Sequence, residues 1–368
     1  MTGPLVLGAA LALLAAAPFA GARALRAQGA LWLGGAAALL APDLRVGALA
    51  GLAVAAAAVR WLPLRVARRV AWVGPSLVLL VFATCLLMYA APGSPFAGER
   101  VAAPQVEAAL RAQYGVPESA LGFFGVYVER LLADGSLGPS LRVQGRSVAD
   151  LLAPAIPVSL GLGLLALALA VGAGVALGVV AALRPRSWLD RAAMAFALVG
   201  ISVPSFVLGA AGIVVFALAL GWLPVAGFGS WRHLVLPALT LAAPYAATVA
   251  RLARAGMLEV ASLDFVRTAR AKGLPESTVV LRHALPSALL PVVSYLAPAA
   301  AGILTGSFVV ETLFGVPGMG QWFVKGAINR DYTLVLGTSL VYATLVAGLN
   351  LAADLLYAWL DPRVREAS

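Results

Sequence analysis

Hydrophobic and polar positions along this chain alternate on the scale of whole helices. Apolar runs of twenty residues or more recur, separated by short stretches rich in arginine, glycine and proline. A helix needs about 20 apolar residues to cross a ~30 Å hydrocarbon core. The runs therefore predict spans at about 71–91, 155–183, 192–220, 234–257, 288–310 and 333–360. The second would reach roughly 42 Å as a continuous helix, long enough to tilt or project from the bilayer. Ser202-Val203-Pro204-Ser205 lies inside the third, where a proline frees a backbone carbonyl and permits a kink. Pro92-Gly93-Ser94-Pro95 stops the first span. Residues 311 to 332, broken by Gly315, Pro317, Gly318 and Gly320, read as a re-entrant or surface-lying segment.

Two regions stand outside this pattern. Residues 1 to 65 begin with an apolar run that has no positive charge before Arg23, which argues for a retained segment rather than a secretory leader. Pro42-Asp43-Leu44-Arg45 interrupts the next run, so this extension holds two spans or three. Three spans starting outside would put Arg23 and Arg26 in the cytoplasm together with Arg60, Arg65, Arg68 and Arg69. Residues 96 to 150 are polar and mixed in charge, with helical patches at 105–114 and 123–132. They read as a small extracytoplasmic domain open to a docking partner, with a solvated loop without a role as the alternative. The organisation expected is an extension over 1–65, a first core span in 66–95, the extracytoplasmic domain at 96–150, and a multi-span core over 151–368 with a cytoplasmic loop at 259–286.

Composition selects the class. With 62% hydrophobic and 11% charged residues and a mean hydropathy of +0.95, the chain departs from soluble domains, in which about 25% of residues are charged. It reads as an all-α polytopic membrane protein. The net charge of +10 does not point to nucleic acid, because the basic residues gather at the ends of apolar runs. With the 259–286 loop placed in the cytoplasm, inner segments of the core hold 15 basic residues. Outer segments hold eight, and only three once the long 96–150 segment is set aside. Trp222 and Trp231 fit an outer interfacial belt. Cys85, the only cysteine, is read as a buried structural thiol. With histidine limited to His233 and His283, no metal site is predicted. The Gly-Lys pair of a P-loop is absent, and no catalytic residue is nominated.

The most informative stretch is polar: Glu259 to Pro286, EVASLDFVRTARAKGLPESTVVLRHALP. Ser262 or Asp264 can cap a short helix, Gly273 can end it in a left-handed turn, and Pro275 can start a second. Two short helices joined by a Gly-Leu-Pro bend would form an element built to be gripped by another protein. Arg267-Thr268-Ala269, Gly273 and His283-Ala284-Leu285-Pro286, at this spacing, resemble the cytoplasmic "EAA" loop of bacterial ABC importer permeases. Arg267, Thr268 and His283 depart from the general pattern. Asp264 to Gly273 is similar to the peptide-importer variant. Thr305 to Glu311, Pro317-Gly318-Met319-Gly320, Asn329-Arg330-Asp331-Tyr332 and Leu360-Asp361-Pro362-Arg363 extend the likeness. Over roughly 67–365 the chain resembles the B-type permease subunit of oligopeptide and dipeptide importers.

That resemblance implies a six-span type I importer core in the bacterial inner membrane, forming half of a translocation pathway that works by alternating access. Asp264, Phe265, Val266, Arg267, Thr268, Ala269, Arg270, Ala271, Lys272 and Gly273 would be the coupling helix that docks on a separate ATPase, with Phe265 and Val266 giving apolar contact. Leu285 and Pro286 would support the loop. The implied partners are a second, C-type permease subunit, two ATP-binding subunits, an extracytoplasmic solute-binding protein and a peptide substrate. ATP and Mg would be bound by the partners, and no cofactor is expected in this chain.

Other charged residues are candidates for further roles. Glu311, Asn329, Arg330 and Asp331 are possible contacts for the binding protein or peptide, with solvated loop charges as the alternative. Asp354 is expected to form an intramembrane ion pair with Arg251 or Arg254. An ion-coupled secondary transporter would require inverted repeats and midplane ionisable residues, and neither is evident. A membrane scaffold would explain the extension but not the ordered motifs.

Overall fold

The structure, a computed structural model, describes residues 64–96, 104–306 and 308–360. The extra spans expected before residue 64 and the polar tail after residue 360 lie outside the described residues. Regular structure among the described residues is helical, apart from one isolated antiparallel bridge between Pro139 and Ser147. In chain order the helices begin with α1 Leu64–Ala90, α2 Pro104–Tyr114, α3 Ala120–Asp134, α4 Val148–Leu152, α5 Ala155–Leu183, α6 Trp188–Ser202 and α7 Ser205–Gly212. A π-helical stretch, Ile213–Ala219, precedes α8 Trp231–Val260, α9 Asp264–Ala271 and α10 Glu276–Thr278. A second π-helical stretch, Val279–Ala284, leads to α11 Leu285–Ala288, α12 Leu290–Leu304, α13 Phe308–Leu313, α14 Met319–Asn329 and α15 Tyr332–Leu360.

Among the described residues, four helical stretches are long and apolar enough to cross a membrane: Ala71–Ala90, Val148–Leu183, Trp231–Val260 and Tyr332–Ala353. Two bent helix pairs raise the number to six if each is one span. The predicted third span is one of these, but it is no gentle kink: α6 and the helix from Ser205 to Ala219 meet at 112°. Val203 is extended and Pro204 has no N–H to give, so the α6 ladder ends there and a new helix starts at Ser205. The fifth is also broken, with Glu276–Ala288 and Leu290–Leu296 meeting at 47°. The predicted run to residue 310 stops at Leu304, where Gly306 adopts φ +79 and α13 restarts at Phe308.

The chain forms two compact units, Met1–Leu152 with Lys325–Ser368, and Ala153–Val324. In the first, α15 lies against α1, so the last described helix pairs with the first described one. Their common core joins Val81, Cys85, Phe123, Phe124, Tyr127, Tyr332, Leu336 and Leu340. Cys85 is 1% exposed there. The helical patches expected in the extracytoplasmic segment are α2 and α3. Ser119 caps α3 by accepting the Gly122 N–H, and Gly135 closes it at φ 63.

The second unit is organised by the contact of α5 with α8. The buried face of α5 is Ala155, Ser159, Leu162, Gly163, Ala166, Ala170, Gly174, Gly178 and Ala181, mostly small residues three or four apart. Small residues let helix backbones approach closely where lipid provides no hydrophobic drive for association. A Cβ at Gly178 would sit 2.5 Å from the Ala250 carbonyl oxygen, and one at Gly174 2.7 Å from that of Ala246.

Candidate functional site

The loop from Glu259 to Pro286 is a folded element. After α8 ends, the Ser262 hydroxyl turns back to the Glu259 carbonyl (2.7 Å). Leu263 occupies the cap position of α9 without a side-chain cap bond, so neither Ser262 nor Asp264 serves as the expected cap. Asp264 lies in the first turn, where its charge complements the helix dipole. Gly273 takes φ +74 and donates its N–H to the Arg270 carbonyl (2.9 Å), the left-handed stop anticipated from sequence. Pro275 stands just before α10, at its cap.

Across this Gly-Leu-Pro bend the Arg270 guanidinium grips the Glu276 carboxylate through two hydrogen bonds of 2.7 and 3.2 Å. Both side chains are exposed. The pairing raises the Arg270 pKa above its ordinary value, chiefly through the hydrogen bonds to Glu276.

One face of α9 is buried and one is free. Val266 (0% exposed) and Ala269 (5%) pack with Met257, Val260, Val279, Val280, Ala284 and Ala288. Val266 therefore belongs to the chain's own core, contrary to the contact role expected for it. Phe265 is 44% exposed, and Arg267, Thr268, Arg270, Ala271, Lys272 and Gly273 also face outward. Leu285 packs on the same buried cluster, while Pro286 is exposed in the first turn of α11. Gly256 allows the loop to close. A Cβ there would overlap the Ala288 carbonyl oxygen.

The outer segment is arranged oppositely. Glu311 and Asp331, expected as contacts for a docking protein or peptide, are both 0% exposed. In this conformation neither carboxylate reaches an outside partner. Glu311 Oε2 accepts the Gly320 N–H (2.7 Å), and Ser159 Oγ beside it accepts the Met319 N–H (2.9 Å). These are the first two N–H groups of α14, which have no partners inside the helix. A side chain at Gly306, Gly318 or Gly320 would collide with this carboxylate. Glu311 Oε1 has no hydrogen-bond partner among the described residues.

Asp331 is saturated. It accepts the N–H groups of Leu141 (3.1 Å), Arg142 (3.3 Å) and Leu334 (3.1 Å), and the hydroxyls of Thr333 (3.0 Å) and Ser140. It thereby ties the turn after the Pro139 bridge to the first turn of α15. Asn329 is exposed and Arg330 half-buried, with Arg330 held at φ 57.

Arg254 forms an ion pair with Asp190, at 2.6 Å. The Asp354 side chain lies outside the described residues. Arg251 is exposed and has no ion-pair partner among the described residues. Sequence reading passed over Asp190, Glu276, Ser159 and Ser140. A Ser-x-x-Asp pattern at Ser187–Asp190 marks a helix start, but its long-range partner Arg254 is 64 residues away. Glu276 was the more legible, as the only acidic residue close behind the Arg-rich helix.

The fold and these two elements define a polytopic helical membrane protein with a folded, cationic bend between Glu259 and Pro286. A family model described as "Binding-protein-dependent transport system inner membrane component" matches residues 174–366. The oligopeptide transport system permease protein OppB of Haemophilus influenzae is 44% identical over 293 residues, covering 79% of this chain and 95% of that protein. The dipeptide transport system permease protein DppB of Bacillus subtilis is 40% identical over 290 residues, covering 79% and 94%. The glutathione transport system permease protein GsiC of Escherichia coli is 38% identical over 295 residues, covering 79% and 95%. The chain belongs to the family of binding-protein-dependent transport system inner membrane components. It is a multi-pass inner-membrane protein and a permease subunit of an ABC importer, not an enzyme.

Proposed function

We propose that this chain forms half of the translocation pathway of an importer for short peptides, and that α9 through Gly273 is the lever through which partner ATPases move it. The observation carrying this reading is the division of α9 into a face locked into the chain's own core, at Val266 and Ala269, and a free face of Phe265, Arg267, Arg270 and Lys272. A lever must be stiff towards the body it moves and exposed towards the body that drives it. The Gly273 stop and the Arg270–Glu276 clip hold the bend in shape. The partners are a second permease subunit, two ATP-binding subunits that bind ATP and Mg, and an extracytoplasmic binding protein. Peptides are the substrate class because OppB and DppB are named for oligopeptide and dipeptide transport. Asn329 and Arg330 remain the residues of the outer segment proposed to meet the binding protein or substrate. Residues 1–65 form an added hydrophobic extension, and 96–150 the extracytoplasmic domain.

The test is ATP hydrolysis by the reconstituted complex with and without peptide-loaded binding protein, comparing the unmodified chain with Phe265→Ala/Arg267→Glu. Both changes lie on the free face and leave Val266 in place. Loss of stimulation in an assembled complex is the expected outcome. Unchanged stimulation would sink the lever assignment.

A further inference from the structure

The coupling loop hangs from the end of α8, and that end also holds another element. Arg254 lies six residues before the last residue of α8. Its guanidinium donates from Nε to Asp190 Oδ1 (2.6 Å) and from Nη2 to Asp190 Oδ2 (2.7 Å). Asp190 is in the first turn of α6 and is 3% exposed. The same carboxylate accepts the Arg186 N–H at 2.8 Å. Arg186 adopts φ 63, a left-handed conformation that a non-glycine residue keeps only when its surroundings hold it. Ser187 then caps α6 by accepting the Asp190 N–H at 3.2 Å. One buried carboxylate thus joins the α5–α6 turn, the start of α6 and the end of α8.

A two-pronged Arg–carboxylate contact specifies angle as well as distance. Buried ion pairs add little net stability over apolar packing, so their dependable contribution is registration of the parts they join. The parts joined here differ in their other attachments. The α5 end is bound to the loop by packing, through Val179 and Ala182 on the Val266 cluster. The start of α6 has Trp188 69% exposed, and Asp190 is its charged tie to α8. Beyond α6 lies the 112° break into α7.

We propose that the Asp190–Arg254 pair is the pin that makes α6 follow the lever. When α9 is displaced, the end of α8 carries the first turn of α6 with it, and the broken α6–α7 pair responds as well as α8. Both are positioning residues. The proposal rests on the coupling role of α9.

The test uses the complete importer complex in lipid, with Cys85→Ser and spin labels at Trp188→Cys and Ser262→Cys, both exposed positions. The label-to-label distance is read by pulsed electron resonance without nucleotide and after trapping with ATP and vanadate. The expected result is the same distance in both states with the pin intact, and a distance that changes between states in Asp190→Asn and Arg254→Ala. Arg254→Lys, which keeps the charge but not the fork, serves where Arg254→Ala does not assemble, and its distance should also become state-dependent. A distance that changes with the pin intact, or that stays constant in the variants, overturns the proposal. Phe265→Ala/Arg267→Glu, run alongside, separates the two readings. If it leaves stimulated ATP hydrolysis intact, the lever role fails. If it abolishes stimulation while the pin variants keep a constant distance, only the pin fails.

Discussion

Between Glu259 and Pro286 the charged side chains of Arg267, Arg270 and Lys272 stand exposed while Val266 and Ala269 are buried. Between Thr305 and Tyr332 the carboxylates of Glu311 and Asp331 are buried while Ile328 is 74% exposed and Asn329 is exposed as well. Both stretches are polar, glycine- and proline-punctuated, and set between apolar runs. What differs is whether the carboxylates beside the helix starts are buried: Asp264 and Glu276 are exposed, Glu311 and Asp331 are not. The outer segment restarts its helix at Met319 and again at Tyr332, and each restart leaves N–H groups that a carboxylate can satisfy. In the 259–286 loop the helix starts at Asp264 and Glu276 are exposed, and the charges pair at the surface, as Arg270 does with Glu276. A charged residue beside a buried helix start is therefore weak evidence of an external contact.

The contrast can be broken most severely at Asp331. Asp331→Ala orphans buried donors at Leu141 and Leu334 and the hydroxyl of Ser140, at about 1–3 kcal/mol for each group left unsatisfied, while the Thr333 hydroxyl keeps the Pro139 carbonyl. We expect a destabilisation of at least ~3 kcal/mol, read as a collapse of the thermal melt of the purified protein in detergent. A mild effect would mean that Asp331 is a surface charge after all.

Glu311→Ala should cost less, roughly 2 kcal/mol, since it orphans the Gly320 N–H and Ser159 still holds that of Met319. Gly318→Val should be at least as damaging, because its side chain would enter the space of Glu311 and Ser159. If Gly318→Val is tolerated while Glu311→Ala is not, the tight cradle is not required.

On the inner side the expected effects are smaller and of another kind. Gly273→Val places a β-branched residue at φ +74, at about 1–2 kcal/mol. Its main readout is loss of binding-protein-stimulated ATP hydrolysis in a complex that still assembles. Glu276→Lys replaces the exposed clip with two like charges. It should leave the melt unchanged and make the bend at 273–275 more sensitive to limited proteolysis; unchanged protection would show that Gly273 and Pro275 suffice.

The smallest expected effect is in the polar segment that follows α1. The Ser94 hydroxyl, and then Arg111, hold the Glu107 carboxyl below its ordinary range. A lowered folded-state value means the contribution is present above the unfolded range, about 4.3, and is lost as pH falls through the folded value. The melting difference between the unmodified chain and Glu107→Gln should therefore be present at neutral pH and fade on acidification below that range. A difference that grows in acid would contradict the assignment.

Much of this molecule was legible from local chemistry. The apolar runs near 71–91, 155–183, 234–257 and 333–360 are helices long enough to span a membrane. Gly273 was readable as a left-handed stop because a glycine between an Arg-rich helix and a Leu-Pro pair has few other uses. The 112° break was only partly legible. Pro204 announced an interruption, but the direction in which Ser205–Ala219 departs depends on contacts of α7 with α8 and α13.

By itself, the sequence determined the class, the places of the long apolar helices and the bend at Gly273. Length of apolar run and the conformational limits of glycine and proline are properties of a segment and its solvent, and need no knowledge of neighbours. The tertiary structure decided which polar groups are available. Asp190 met Arg254 rather than remaining a loop charge, Val266 turned inward while Phe265 stayed out, and Glu311 and Asp331 went to cap helices. The physical reason is that a buried charge persists only where its partners converge on it. Those partners lie as far as 191 residues away along the chain, a distance over which no local pattern carries information.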